Sequence, residues 1–211
     1  MRKLSIRLVV ALLTFILGSA ATTAWFIQRQ STEQQVRLSL PNAHWEQIFF
    51  RHNNQLLEKA KLPSLRTVTL SGDDLEIRTW MGGGSESEVY GVILRRSHGK
   101  WSATRIHGIG YHPQLLRYEE ILEVPKSGWG AAWARLVNAG VLTLPDASEI
   151  QCNFPALDGA GYVVEINLNK TYRTYGYSNP TLAKCEEAKQ ILRIEEIIEE
   201  EFGWMNPESM E

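Results

Sequence analysis

The stretch YVVEINLNKTYRTYGY, from Tyr162 to Tyr177, decides the fold. Its β-branched and aromatic residues alternate with polar ones on both sides of Asn169-Lys170, the pattern of two strands joined by a two-residue turn. Such a turn sets Tyr162, Val164, Ile166, Leu168, Tyr175 and Tyr177 on one face. Val163, Glu165, Asn167, Tyr172 and Thr174 fall on the other, with Glu165 directly across from Thr174.

Two more hairpins are expected upstream. Glu88 to Ser97 and Lys100 to His107 turn through His98-Gly99, placing Tyr90, Val92, Leu94, Trp101 and Ala103 on one face and Ile93 and Ile106 on the other. Apolar groups on both faces mark this hairpin as central. Arg66 to Ser71 and Asp74 to Trp80 read as a half-buried pair around Gly72-Asp73, with Val68, Leu70, Leu75 and Ile77 facing a core and Glu76 and Arg78 facing water. The run Gly82 to Ser85 reads as a loop between strands. It lacks the G-K-[ST] ending of a phosphate loop, and Glu86 and Glu88 follow where a phosphate would want positive charge. Glu119 to Val124 fits a short strand and a helical turn equally.

Three helices complete the order. Asn42 to Ala60 repeats apolar groups at Trp45, Ile48, Phe49, Leu56 and Ala60, with His52 on the same stripe. Ser127 is expected to cap a helix whose inner stripe is Trp129, Ala132, Trp133, Leu136 and Val137 and which stops at Gly140. Asn179 and Pro180 are expected to open the last helix, which buries Ala188, Ile191, Leu192, Ile194, Ile198 and Phe202, stops at Gly203 and carries glutamates on its outer side. The fold class is therefore α+β: a largely antiparallel sheet built from three hairpins, with helices packed on one face, after an N-terminal signal-anchor helix.

That N-terminal helix is the address. The twenty uncharged residues from Leu8 to Ile27, preceded by Arg2, Lys3 and Arg7, make about 30 Å of helix, the thickness of a bilayer core. The basic flank orients the rest of the chain outward. The run stays as a membrane anchor or is cleaved after Ala20 or Ala21 as a signal peptide. The organisation expected is 1–27 signal or anchor, 28–36 polar tether, and 37–211 a single exported domain, anchored facing outward or periplasmic or secreted. Taking Arg2, Lys3 and Arg7 from the 22 basic residues leaves 19 against 24 acidic ones. A mildly acidic domain lacks the basic face that nucleic acid requires.

Cys152 and Cys185 are the only cysteines. In an exported chain an even count favours a disulfide, and neither cysteine lies in a C-x-x-C pair. Five histidines include no H-E-x-x-H; His107 and His112, five apart across two glycines, are weak metal candidates, with His52 or Glu119 to complete a site. No G-x-S-x-G is present. No catalytic set and no cofactor is assigned. Tyr172, Trp45 and His52 form the candidate binding surface, Tyr172 because its face is the polar one. The functional expectation is a non-enzymatic module that binds a protein or another envelope component, with the membrane as a second contact through residues 8–27. The alternatives are an extracytoplasmic hydrolase using His107 and His112 or the Asp158 to Glu165 region, and a small-ligand sensor with its pocket beside His52 and Trp45.

Overall fold

His98 and Gly99 (φ 50° and 76°) and Asn169 and Lys170 (φ 52° and 58°) are left-handed pairs, the backbone that a two-residue hairpin needs to match the twist of its strands. They join β3 (Glu86–Ser97) to β4 (Lys100–Ile109) and β6 (Gly161–Leu168) to β7 (Thr171–Ser178). In both hairpins the faces are those expected from the alternation, and Glu165 is paired with Thr174. The computed structural model describes residues 36–41, 45–83, 86–109, 115–154 and 161–203. The uncharged run at 8–27, the tether residues 28–35, His112 and Asp158 lie outside these, as does the side chain of His52. Among the described residues no helix is long and apolar enough to cross a membrane.

Among the described residues the sheet has seven strands. With β1 (Arg37–Ser39), β2 (Leu75–Gly83) and β5 (Leu115–Leu122), the order is β1-β7-β6-β2-β3-β4-β5. Every neighbouring pair is antiparallel except β1 with β7. The segment at 119–124 is thus resolved in favour of a strand. A bulge at Arg117 interrupts β5, where His107 faces Tyr118 but Gly108 faces Leu116.

The hairpin expected at 66–80 does not form. Both edges of β2 are taken, one by β3 and the other by β6, so no ladder remains for residues 66–71. These residues instead cross the sheet face as irregular chain. Asn167 Nδ2 donates to the carbonyls of Leu65 (3.0 Å) and Val68 (2.7 Å), and Arg78 donates to that of Pro63 (2.9 Å). Side chains thereby supply the hydrogen bonds that a strand partner would have given. The glycine run is also reassigned in part: β2 continues through Gly83, while Gly84 and Ser85 lie outside the described residues.

Helices cover both faces, not one. The helix α2 (Trp129–Asn138) and the helix α3 (Glu186–Glu201) pack Ala132, Leu136, Ile191, Ile194 and Ile198 over Leu75, Ile77, Val92, Leu94, Val164 and Tyr175. Trp101 stacks on Trp129 at 5.8 Å between ring centres. On the opposite face α1 (Trp45–Lys59) sets Phe50, Leu56 and Leu57 over Trp80, Ile93, Ile106 and Val163. Its buried stripe is rotated from the one expected. Ile48 is 58% exposed, whereas Glu46 and Asn53 point inward. Val137 of α2 is likewise exposed.

Two helix starts also differ. The residue before α2 is Gly128 (φ 82°), with no side-chain cap, and the N–H of Ser127 is bound by Glu201 of α3 at 2.9 Å. Asn179 and Pro180 begin a separate three-residue 3-10 turn, and α3 starts only after Cys185. The stops at Gly140 (φ 90°) and Gly203 (φ 71°) hold.

Candidate functional site

The polar residues of β2, β6 and β7 that alternation assigns to a wet face lie under α1 and the crossing segment. Glu76, Arg78, Glu165, Asn167 and Tyr172 are all nearly or fully buried. Glu76 takes Arg78 through Nε at 2.8 Å and Arg95 through Nε at 2.7 Å. The two oxygens of Glu165 accept from Trp80 Nε1 (2.8 Å) and from the Tyr172 hydroxyl (3.0 Å). Arg66 completes the group: its Nε reaches the Tyr172 hydroxyl, its Nη2 pairs with Glu46, and its guanidinium lies 4.2 Å from the Phe50 ring centre. Three carboxylates are thus matched by Arg66, Arg78 and Arg95, as burial of charge requires.

Burial pushes the Glu165 carboxyl above the usual range, against the pull of Arg78, Trp80, Tyr172 and Arg66. A raised carboxyl in a cleft would suit a general acid. Glu165 is 1% exposed with both oxygens occupied, so substrate has no path to it. Tyr172, expected on an open polar face, is fully buried and serves as its donor.

Trp45 is half-buried and tied into the scaffold. Its indole packs on Gly176, where an added Cβ would stand 2.9 Å away, and Nε1 donates to Asp146 at 3.2 Å. Asp146 accepts in addition from the N–H groups of Gly176 (2.8 Å) and Ser148 (2.9 Å). One buried carboxylate therefore ties α1 to β7 and to the turn after α2.

His107 lies on β4 with its ring stacked on Tyr90, 4.3 Å between centres and 10° from parallel. It is 3% exposed, and Glu88 approaches Nε2 to 3.7 Å. Burial lowers its pKa, partly opposed by Glu88, so it is held toward the neutral imidazole. Among the described residues no three His, Cys, Asp or Glu side chains converge on a metal-sized space. The cysteines, by contrast, meet: Cys152 and Cys185 are bonded, with sulfurs 2.09 Å apart. Such a bond belongs to an oxidising, extracytoplasmic setting.

Comparison with protein-family models, with curated proteins and with solved structures finds no match. The geometry alone speaks for function.

Alternation assigns these charges to water because Glu76 and Arg78 alternate with Leu75 and Ile77 as in a half-wet strand. Trp80, two positions further along the same face, was the available signal that this face is covered. The open features are elsewhere: β5 is the last strand of the sheet, and Ile121 within it and Val124 just after it are 83% and 66% exposed.

Proposed function

We propose that this chain is an exported, non-enzymatic binding module, held at the outer face of a membrane or released from it, that captures an extended segment of an envelope protein along β5. The observation that carries this reading is the open edge itself. No strand among the described residues pairs with β5 on its outer side, and Ile121 in β5 and Val124 just after it are exposed. An edge of this kind offers unpaired N–H and C=O groups to an incoming strand. Arg117 at the bulge and the charges of Glu119, Glu120 and Glu123 disfavour pairing with chance hydrophobic strands. The acidic side chains select a segment with basic residues opposite Glu119 and Glu123 and an apolar one against Ile121. The buried acids support the same reading, because Glu165, Glu76 and Asp146 are each consumed by internal partners.

The test is a photo-crosslinking residue at Ile121 in the full chain within its native envelope, with Lys189 on the outer side of α3 as control. Purification through a C-terminal tag and mass spectrometry are expected to give a protein adduct at position 121 and none at 189. No adduct at 121, or the same adducts at both positions, overturns the reading.

A further inference from the structure

At the end of α1, Lys61 takes a left-handed backbone (φ 54°) and sends the chain across the sheet. Between this crossing segment and the neighbouring ends of β2 and β3 lies an open cleft of ≈ 350 Å³. Pockets for small ligands begin at about this size, roughly 300 Å³. Leu62, Val68 and Leu70 give it an apolar wall, and Lys61, Glu76 and Arg95 give it charge.

The charge balance is positive. Glu76 is fully buried and held by two guanidinium groups, Arg78 within the protein and Arg95 at the cleft. Arg78 also answers Glu165, but the cleft lining itself sets Arg95 and Arg96 against the one carboxylate of Glu76, which leaves one positive charge over. Lys61, which makes no ion pair among the described residues, adds a second. Neither Asp73 nor Asp74 is in the cleft lining, and Asp74 is engaged by the N–H of His98 (2.7 Å) and the hydroxyl of Ser97 (3.3 Å). Arg95 spends Nε and Nη2 on Glu76. Its side chain remains 42% exposed, and Nη1 has no hydrogen bond among the described residues.

We propose that this cleft binds a small organic carboxylate, its head between Lys61 and Arg95 and its apolar body against Leu62, Val68 and Leu70. The donors decide the class. The Lys61 ammonium and the Arg95 Nη1 amino group match the two oxygens of a carboxylate, whereas a phosphate needs a larger cradle of donors. Arg95 is already oriented by Glu76, so little side-chain freedom is lost when the anion arrives. The site is separate from the β5 edge, with β4 between the β3 wall of the cleft and β5, so failure of either proposal leaves the other standing.

The experiment uses the full chain in a neutral sugar detergent, with Leu and Val methyl groups labelled for NMR, titrated with hexanoate, 1-hexanol and acetate. Hexanoate is expected to shift the Leu62, Val68 and Leu70 methyls saturably, and both comparison compounds to bind about tenfold more weakly, the loss of one charge-assisted or apolar contribution. Lys61→Asn, a residue that tolerates the left-handed backbone, is expected to weaken hexanoate by about tenfold while the Leu136 methyls on the far face stay in place. The proposal is overturned if hexanol binds as well as hexanoate or if hexanoate leaves these methyls unshifted. It is equally overturned if Lys61→Asn folds and keeps the wild-type affinity.

Discussion

Glu165 has both oxygens hydrogen-bonded and still titrates high, because burial outweighs the help of its neighbours. An unfolded glutamate titrates near 4.3. Between that value and the higher folded one, the folded chain holds a proton that the unfolded chain has released, so this group's contribution to stability falls as pH rises. Glu165→Gln removes the titration while keeping an acceptor for Trp80 and a donor for the Tyr172 oxygen. The stability gap favouring wild type is therefore expected to be widest near pH 4 and to narrow toward pH 8, measured by urea unfolding followed through tryptophan fluorescence. A gap that widens with pH would show that the arginines hold Glu165 ionised. The same indole makes a second prediction. Gly91 lies against Trp80, and a Cβ there would stand 2.3 Å from the ring. Gly91→Ala should cost about 1–3 kcal/mol as the indole is displaced, and an unchanged unfolding midpoint would refute this close packing. These residues were not legible as a buried group. Alternation distinguishes two faces of a strand but carries no information on whether the polar face is covered.

At the level of elements, the acidic end of α3 finds its explanation in other elements. Glutamates in a last turn oppose the helix dipole. Arg105 of β4 donates to the carbonyls of Gly203 (3.2 Å) and Phe202, beyond the last turn, and pairs with Glu120 at 2.7 Å. Arg135 of α2 pairs with Glu200 and Glu201. Cations supplied from outside thus replace the basic residues that its last turn lacks. Arg105→Gln is expected to lower stability by roughly 1.5–3 kcal/mol, the range for hydrogen bonds to a charged group, and an effect near zero would mean that water serves those carbonyls as well. Desolvation works against ionisation of Glu201, yet the bonds from Ser127 and the Arg135 pair prevail and hold it below the usual carboxylate range. A depressed carboxyl stabilises above its unfolded value and loses that share as pH falls through the folded one. The advantage of wild type over Glu201→Gln should therefore shrink below about pH 4. Hairpins with left-handed turn pairs and helices ending at Gly140 and Gly203 were legible because their signals are local. Residues 66–74 were not, since their alternation is that of a strand and only the occupation of both β2 edges excludes them from the sheet.

Across the whole molecule the sheet is assembled from distant pieces. The pairing of β2 with β6 brings Trp80 to Glu165, 85 residues apart, and no local pattern announces such a neighbour. β3, β4 and β5 follow β2 as a meander, while the β6–β7 hairpin returns to its other edge. Cys152 and Cys185 bracket that returning hairpin, with a sequence separation of 33. Closing a loop of this length restricts the unfolded chain by roughly 3–4 kcal/mol. Reduction under native conditions is expected to lower the unfolding free energy by that amount; a midpoint unmoved by reductant would place the bond's value elsewhere. The bracket has another consequence. A protease that cuts once anywhere between the two cysteines, including the stretch before β6, cannot release either fragment, because the sulfur bridge still joins them. In an exported location such a nicked chain would run as one piece until reduced, and would keep β6 and β7 beside their partners after the backbone had been broken.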